Sequence, residues 1–416
     1  MSILRLAIAG SVDDGKSTLL GRLLHDTGSL CTDQVAKMTR IGADKGMALD
    51  LASVADGLKA EQEQGITIDV AYRYLNLRGR RLILADTPGH EQYTRNMFTG
   101  ASTAWGSLLL VDAKRGLREQ TRRHASIAAL LGHDTVVFCV NKMDAVDNDP
   151  ARYQALADEC QALGERLGFK HLHILPISAL TGDNVVTRGA LTWWEGDTLL
   201  DVLTALEPAA RAQPAQVASV QAVMIEQSEG QTRRLLALRF AGGPIAVGDR
   251  LFAGVHARPV TIKAIYSGGA SVTSVASNRD ALVELDEEID LTRGDWLQRE
   301  PQTWTKTLSP VVCWLGERPG RVGEKVVLRH GDRWVKAQIT DASQPVDLAE
   351  LCYHSTQQSL ESNSIGRIHL RLAQPVPAAS FADDPVSGAM VLVDPATRQT
   401  LAAGVIAPIP GLETTA

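Results

Sequence analysis

The sequence is poor in aromatic residues and carries little excess charge of either sign. Phe, Trp and Tyr make up 5% of its 416 residues, and 42 Lys and Arg stand against 48 Asp and Glu, a formal net charge of −6. This mild acidity argues against a protein that binds nucleic acid or anionic membranes by bulk charge. A hydrophobic content of 44% excludes a disordered or fibrous chain, and the length suits two or three domains.

Cysteine and long apolar runs are also scarce. No two of the five cysteines have C-x-x-C spacing, so neither a disulfide framework nor a thiolate zinc site is expected. No stretch approaches the roughly 20 uncharged apolar residues of a membrane helix. The apolar run at residues 3–9 contains Arg5 and is typical of a buried strand rather than a signal peptide. These features predict a cytoplasmic protein without membrane contact.

The first half of the chain alternates short apolar runs with amphipathic segments, a pattern typical of a parallel sheet wrapped by helices. Period-two alternation after residue 68, followed by a polar turn at 76–81, predicts an antiparallel hairpin at the edge of that sheet. The predicted strands are 3–9, 68–77, 81–85, 107–111, 135–140 and 171–176, and the predicted helices are 16–25, 91–102, 119–131, 151–167 and 198–206.

Helical patterning largely stops after a proline-containing linker at 207–214, and short β-rich runs separated by glycine turns follow. Such runs predict small β-barrels. The predicted strands are 217–225, 234–240, 250–252, 260–265 and 281–285 in one block, and 310–315, 324–328, 335–339, 365–372, 389–393 and 400–406 in the next. The expected architecture is an α/β domain at 1–210, a β-barrel at 214–302 and a second β-barrel at 307–412.

A phosphate-binding pattern, G-x-x-x-x-G-K-[ST], follows the first strand and opens a helix. Glycines let backbone N–H groups curl around a β-phosphate, and the helix N-terminus adds a favourable dipole. Lys16 would bridge the β- and γ-phosphates, and the Ser17 hydroxyl would ligate Mg²⁺. A glycine-rich turn with an exposed lysine is the alternative, which the flanking strand and helix make weaker. The predicted phosphate-binding residues are Gly10, Ser11, Val12, Asp13, Asp14, Gly15, Lys16, Ser17 and Thr18.

A second motif, Asp86-Thr-Pro-Gly-His90, ends another apolar strand. Asp86 can hold Mg²⁺ through water, and Gly89 can offer its N–H to a γ-phosphate. His90 is the expected residue to orient the attacking water, although a surface histidine at a helix start has the same appearance in isolation. Thr67, upstream, is expected to ligate Mg²⁺ and close over the γ-phosphate as a switch, although alone it would more simply start a strand. Lys16, Thr67 and His90 are therefore the predicted catalytic residues.

The remaining motifs concern the base. The carboxylate of Asp144, in Asn141-Lys142-Met-Asp144, can accept two hydrogen bonds from an edge of guanine that adenine lacks. A backbone N–H of Ser178-Ala179-Leu180 can reach guanine O6. Each motif follows a strand, at the sheet edge where open sheets bind ligands. Their order along the chain predicts binding of GTP rather than ATP.

With these motifs the chain resembles the translation-factor class of GTPases, whose members include elongation factor Tu. It matches one branch more closely, the large GTPase subunit of bacterial sulfate adenylyltransferase, at 11–19, 56–74 and 86–97. Asp14 also fits that branch, since elongation factors typically have histidine there. The resemblance implies a P-loop GTPase domain followed by two β-barrels, GTP and Mg²⁺ as ligands, and a smaller catalytic ATP-sulfurylase subunit as partner. It further implies that GTP hydrolysis drives that partner to make adenosine 5′-phosphosulfate and pyrophosphate from ATP and sulfate.

The match has departures. Gln62 and Leu75 stand where the family usually has arginine and phenylalanine, and the usual Gly-Arg-Val pattern of the first barrel is replaced around 234–240. The resemblance also implies an apolar gate of Val12 and Ile66 beside His90, for which ordinary core packing is an equally good explanation. Because the second predicted barrel ends close to residue 416, no fused kinase module is expected.

Two other functions stay open. A translation factor that binds tRNA or the ribosome would need a basic face on the barrels, and no nucleic-acid partner is expected here. A GTP-binding subunit whose hydrolysis is uncoupled from any reaction would fit the diverged barrels. The run Arg122-Arg123-His124 is expected to be a solvated helix face rather than a contact for either kind of partner.

Overall fold

The computed structural model describes residues 3–44, 49–54, 69–90, 93–208, 217–228, 231–240, 243–276, 279–347, 352–353 and 359–407. Contacts between residues divide these ranges into two units, an α/β unit that ends near residue 209 and a β unit that follows it. None of the helices in these ranges is long and apolar enough to cross a bilayer.

The α/β unit alternates strands and helices along the chain. Its strands are β1 (Leu4–Gly10), β2 (Ala71–Leu77), β3 (Arg80–Asp86), β4 (Gly106–Asp112), β5 (Thr135–Asn141) and β6 (His171–Pro176). Its α-helices are α1 (Lys16–Asp26), α2 (Thr32–Asp44), α3 (Thr94–Ser102), α4 (Glu119–Leu130), α5 (Pro150–Arg166) and α6 (Leu199–Ala205), with 3-10 turns at Leu51–Val54 and Met143–Val146.

These six strands form one sheet in the order β2-β3-β1-β4-β5-β6. All neighbours are parallel except β2, which runs antiparallel to β3 at the edge, so the predicted edge hairpin is confirmed. Every residue of β4 and β5 is buried, which shows that both faces of the central sheet are covered. The carboxyl ends of β1, β3, β4 and β5 therefore meet at one sheet edge.

Local sequence explains the start of some helices. Asp149 caps α5 by accepting the N–H of Ala151, and a proline occupies the first helical position. The helix α2 was not predicted, although its sequence is amphipathic, and only Met38 and Gly42 of its residues are buried. The helix predicted from residue 91 begins at Thr94 in α3, and residues 91 and 92 lie outside the described ranges.

The β unit contains two six-stranded barrels that close on themselves. The first closes where the strand Arg250–Ala253 pairs with Arg258–Ser267, and the second closes where Arg333–Asp347 pairs with Ile365–Pro377. The first barrel is built from β7 (Val217–Ser228), β8 (Gln231–Phe240), β9 (Ile245–Ala246), β10 (Arg250–Ala253), β11 (Arg258–Ser267), β12 (Ala270–Val272), β13 (Ser274–Val275), β14 (Asp280–Leu285) and β15 (Trp296–Gln298).

The second barrel is built in the same way. It contains β16 (Trp304–Leu308), β17 (Val311–Trp314), β18 (Gly320–Arg321), β19 (Lys325–His330), β20 (Arg333–Asp347), β21 (Cys352–Tyr353), β22 (Ser359–Leu360), β23 (Ile365–Pro377), a one-turn helix α7 (Pro385–Gly388), β24 (Ala389–Val393) and β25 (Thr400–Val405). The predicted fold class, an α/β P-loop domain followed by two β-barrels, is confirmed. The predicted domain limits stay a prediction.

Polar and aromatic contacts join the two barrels. The Asp332 carboxylate accepts hydrogen bonds from Ser219 Oγ at 3.0 Å and from Gln221 Nε2, both on β7. The Trp296 ring stacks on the His330 ring with centroids 5.2 Å apart. These contacts make the barrels neighbours in one packed unit.

Candidate nucleotide-binding site

The loop between β1 and α1 is a compact turn closed by its own polar groups. Ser11 N–H donates to Asp14 Oδ2 at 2.7 Å, and Asp14 N–H donates to the Ser11 carbonyl at 3.2 Å. Gly15 follows with φ +94°, and a Cβ there would collide with Asn141 Nδ2. Glycine is therefore required at Gly15 both by backbone conformation and by space.

Lys16 begins α1 and points its ammonium group back into this turn. The side chain is buried, and Nζ donates to the carbonyls of Gly10 at 3.1 Å and Ser11 at 3.3 Å. Burial lowers the pKa of Lys16, and the nearby carboxylates, of which Asp86 acts most strongly, oppose that change. The structure thus places a buried cation where the sequence predicts phosphate binding.

The end of β3 comes close to the same cation. Asp86 is fully buried at the last position of β3. Thr87 then donates both its N–H, at 3.2 Å, and its Oγ1, at 2.7 Å, to the carbonyl of Ile8 on β1. A Cβ at Gly89 would collide with Lys16 Nζ and with the backbone carbonyl oxygen of Gly10, so only glycine permits this approach. Three of the predicted phosphate-side residues, Lys16, Asp86 and Gly89, are therefore brought together.

His90 follows at the start of the next segment. Its ring is partly buried and lies edge-on to Tyr93 with centroids 6.0 Å apart, and its carbonyl accepts the Tyr93 N–H at 3.0 Å. Thr67, predicted as a catalytic and Mg²⁺-binding residue, and Ile66, predicted for the gate, both lie outside the described ranges.

The other predicted residues of the phosphate loop differ in exposure. Ser17, Thr18 and Val12 are partly buried. Asp13 is exposed and has φ +68°, with its carboxylate 3.5 Å from Arg115 Nη1. The loop therefore keeps an outer rim that solvent reaches and an inner part that it does not.

Asn141, the last residue of β5, joins the phosphate loop to the loop that follows β6. It is almost fully buried, its Nδ2 donates to the Asp14 carbonyl at 2.7 Å, and its Oδ1 accepts the Ala179 N–H at 2.9 Å. Two predicted motifs that are far apart in sequence are thus held together by one amide side chain.

The predicted base-recognition residues meet beside it. Ser178 Oγ donates to Asp144 Oδ1 at 2.5 Å and accepts the Thr181 N–H at 3.2 Å. Asp144 stays partly exposed, and Leu180 is 56% exposed, so the rim of this pocket is open to a ligand. Asp144, Ser178 and Ala179 therefore lie close together, and their role in base recognition stays a prediction.

Asp112 is a site residue that the sequence analysis missed. It lies opposite Asn141 at the ends of the paired strands β4 and β5. Its carboxylate forms an ion pair with Lys142 Nζ at 2.8 Å and accepts a hydrogen bond from the Lys114 N–H at 2.8 Å. Burial raises the pKa of Asp112, but these bonds outweigh it and hold the pKa below its usual value. Lys142 itself is a left-handed residue with φ +64°. Because Asp112 ends a strand as Asp86 and Asn141 do, the same positional rule would have found it.

Arg22 was also missed. From α1 it donates Nε to the Ala179 carbonyl at 3.2 Å and Nη2 to the Leu180 carbonyl at 2.5 Å. The phosphate loop therefore leads into the start of helix α1, and Arg22, nearly two turns further along the helix, binds the loop after β6. No local sequence signal marks an arginine in this role.

Helix α4 closes the site from another side, where the sequence predicted a solvated face. Thr121 Oγ1 lies 3.2 Å from Ser11 Oγ, and His124 is fully buried beside Gln120. Burial, together with the positive charges of Lys16 and Arg123, lowers the pKa of His124 from 6.5 to about 3. The prediction of a solvated His124 was wrong, because α4 packs this residue towards the phosphate loop.

Comparisons with known proteins agree with this geometry. Residues 1–209 match the family described as Elongation factor Tu GTP binding domain, and residues 308–407 match GTP-eEF1A C-terminal domain-like. Sulfate adenylyltransferase subunit 1 of Erwinia tasmaniensis is 37% identical over 414 residues, which cover 97% of this chain and 86% of that protein. The chain belongs to the sulfate adenylyltransferase subunit 1 family. The family predicted from the motifs is confirmed.

Other members and a more distant structure extend the comparison. The bifunctional enzyme CysN/CysC of Mycobacterium tuberculosis strain H37Rv is 41% identical over 416 residues, which cover 97% of this chain and 67% of that protein. The chain thus spans about two thirds of that bifunctional member of the subunit 1 family. The crystal structure of the S. cerevisiae Ski7 GTPase-like domain bound to GTP has a TM-score of 0.50 and 16% identity over 97% of both chains. This last likeness supports the fold.

Proposed function

We propose that this chain binds and hydrolyses GTP as the energy-coupling subunit of sulfate adenylyltransferase. Hydrolysis would drive a smaller catalytic subunit to form adenosine 5′-phosphosulfate and pyrophosphate from ATP and sulfate. The observation that carries the proposal is Asn141, which binds the phosphate loop at Asp14 and the base loop at Ala179 in a chain of the subunit 1 family. The cytoplasm predicted from the sequence is the compartment we propose for it.

Selection of guanine would rest on Asp144 and the loop after β6. The Ser178 hydroxyl holds one Asp144 oxygen, which leaves the partly exposed carboxylate oriented for the N1–H and N2–H₂ of guanine. Adenine offers no such pair of donors, so an adenine bound here would cover the carboxylate without pairing it, which is costly. Arg22 supports this arrangement from below by binding two carbonyls of the loop.

The phosphate side fits a triphosphate with Mg²⁺. Gly15 and Gly89 leave no room for a Cβ, as expected where a backbone cradles a ligand closely, and Lys16 supplies a buried cation. The Ser17 hydroxyl and the Asp86 carboxylate are the hard oxygen donors that Mg²⁺ prefers. When bound, Mg²⁺ neutralises charge on the phosphate oxygens. Ser17 would hold it directly, Asp86 through water, and Thr67 from the segment outside the described ranges.

Lys16 and His90 have distinct tasks in this proposal. Lys16 exchanges its hydrogen bonds to the Gly10 and Ser11 carbonyls for the phosphates, which gives the nucleotide an ammonium group already desolvated. His90 holds the attacking water in line with the γ-phosphate. Catalysis is then mainly positioning and electrostatic stabilisation.

The alternative of a translation factor finds no support in the recess on the first barrel. That recess, of about 710 Å³, is lined by Arg233 and Arg239 but also by Glu226 and Asp280. Asp280 lies 3.8 Å from Arg239, which offsets its charge. Phosphate-backbone binding needs a surplus of positive charge, which this mixed lining does not provide.

A coupled assay tests the proposed function. The chain is mixed with the small ATP-sulfurylase subunit from the same source, with ATP and sulfate added separately and together, and phosphate and adenosine 5′-phosphosulfate are followed. Both products should rise together only in the complete mixture, and His90→Ala should lower both by about 10²-fold or more. His171→Ala is the matched control, because His171 is exposed at the opposite end of the sheet.

Two outcomes would change the assignment. If the rate of GTP hydrolysis does not change when the small subunit, ATP and sulfate are added, the chain would still be a GTPase, but its proposed role in the sulfate reaction would be rejected. Binding of tRNA that weakens steeply with salt would favour the translation factor instead.

A further inference from the structure

Asp14 occupies a place in the phosphate loop that the proposed chemistry leaves unexplained. It is 1% exposed, its Oδ2 accepts the Ser11 N–H at 2.7 Å, and its backbone carbonyl accepts Asn141 Nδ2 at 2.7 Å. Hydrogen bonds therefore hold Asp14 both at its carboxyl group and at its backbone carbonyl. Any change in its charge acts directly on the loop that must hold phosphates.

The second carboxyl oxygen, Oδ1, is buried and has no hydrogen-bond partner among the described residues. Burial raises the pKa of Asp14 to about 6, although the Ser11 N–H lowers it. With this pKa the carboxyl group is mostly ionised at pH 7 but lies within about one pH unit of its midpoint. Small changes in surrounding charge therefore decide its protonation.

The groups that face Asp14 come from several elements. Lys16 of α1 and Lys142 after β5 favour the ionised form, while Asp112 at the end of β4 disfavours it. On α4, His124 interacts with the charge of Lys16, and burial keeps His124 neutral. Asp13 on the same loop acts on Lys16.

We propose that Asp14 is a proton-linked positioning residue, whose Oδ1 takes one proton from solvent when nucleotide phosphates enter the loop and returns it when they leave. The inference rests on the proposed binding of GTP at this loop. The phosphates bring several negative charges beside a buried carboxylate, and they withdraw Lys16 from its neighbours. The neutral acid keeps the Oδ2 acceptor for Ser11 without repelling the phosphates.

The sign of the effect follows from linkage. A ligand that favours the protonated form binds more tightly where that form is already populated, so affinity should fall as the pH rises. If binding moves the titration of Asp14 upward by one pH unit, the wild type should lose roughly fivefold more affinity than a permanently neutral variant between pH 6 and pH 8.

Asp14→Asn provides that neutral variant, since its amide oxygen can still accept the Ser11 N–H. Dissociation constants for N-methylanthraniloyl-GDP are measured from pH 6 to pH 8 for wild type and D14N. Titration of the nucleotide itself is common to both proteins and cancels in the ratio. Calorimetry in buffers of different ionisation enthalpy should show roughly half a proton more taken up by wild type than by D14N at pH 6.5.

Asp13→Asn is the matched control. It removes the same charge from the same loop, but the Asp13 side chain is 65% exposed and solvated. Whatever its absolute affinity, D13N should keep the wild-type dependence on pH. An infrared band of a protonated carboxyl group should appear when GDP binds to wild type at pH 7, which supplies a readout even if D14N folds poorly.

The outcomes separate the two proposals. Parallel pH profiles for wild type and D14N, or no carboxylic-acid band on binding, would overturn the role of Asp14 and leave GTP binding intact. If none of the three proteins binds GDP, the proposed function falls together with this inference.

Discussion

His124 and Asp14 are both buried close to Lys16. Burial lowers the pKa of His124 and raises the pKa of Asp14. The pKa of His124 falls from 6.5 to about 3. Between these pH values His124 is neutral in the folded chain but protonated in the unfolded chain. Its contribution to stability is complete above 6.5 and is lost as the pH falls towards 3. The pKa of Asp14 rises from 3.8 to about 6, so its contribution is complete below 3.8 and is lost as the pH rises through 6.

His124→Gln tests the first of these effects. Between pH 7 and pH 5 the wild type should lose about 2 kcal/mol more free energy of unfolding than H124Q, because only the wild type carries the buried imidazole. Urea unfolding at both pH values and constant ionic strength measures the difference. His171→Gln, at an exposed position, should behave as wild type. Equal losses for wild type and H124Q would contradict the assignment of a buried neutral His124.

At this scale the sequence predicts residues that belong to contiguous motifs. Lys16, Asp86 and Asn141 each follow a strand in a recognisable pattern, and the structure brings them to one sheet edge. Nothing local distinguishes the buried His124 from the partly buried Arg122 and Arg123 beside it. Its burial results from the packing of α4 against a loop more than 100 positions away in sequence, as the Ser11–Thr121 contact shows.

At the scale of elements, α1 is the helix on which the site depends at both ends. Arg22→Met should weaken GDP binding roughly three- to tenfold, mainly through faster dissociation, because two hydrogen bonds to the Ala179 and Leu180 carbonyls are lost. Stopped-flow displacement of labelled GDP gives the dissociation rate.

Arg78→Met serves as the control for this change. Its ion pair with Asp201, at 2.8 Å, is between two exposed side chains and should contribute little. Dissociation from R22M as slow as from R78M would show that the Arg22 contacts do not support the base loop.

Long, buried strands were predictable because their apolar runs are continuous. The structure agrees with prediction to within a residue for β4, β5 and β6. Strands of two or three residues, such as β9, β13 and β15, were missed, since so short a segment has no periodicity of its own. Pairing with distant neighbours alone defines them.

At the scale of the β unit, Asp332 links the two barrels and should make them unfold together. Asp332→Ala removes the acceptor for Ser219 and Gln221 and should cost about 1–3 kcal/mol. Scanning calorimetry should show the barrel transition of the wild type broaden or split in D332A.

Asp290→Ala is the matched control, because Asp290 is 97% exposed and lies 3.8 Å from Arg234. Its transition should stay that of the wild type. Indistinguishable transitions for D332A and D290A would show that Asp332 does not couple the barrels.

The order of the elements along the chain was predictable, whereas barrel closure was not. Alternation of strand and helix predicts a parallel sheet, and turn-rich β runs predict barrels. The strand β10 pairs with both β11 and β15. In these pairings Phe252 lies opposite Pro259 on one side and Gln298 on the other. Such partners are set by how the whole barrel packs.

Closure of the first barrel sets the order in which parts of the chain can fold during synthesis on the ribosome. The sheet of the α/β unit gains its last strand at Pro176, while the first barrel cannot close until Trp296–Gln298 has been made, because β15 bridges β7 and β10. A nascent chain therefore carries a finished nucleotide-binding sheet while barrel strands still expose unpaired edges, the state most prone to wrong pairing. Slower synthesis of the barrel segments lengthens the time that the chain spends in that state.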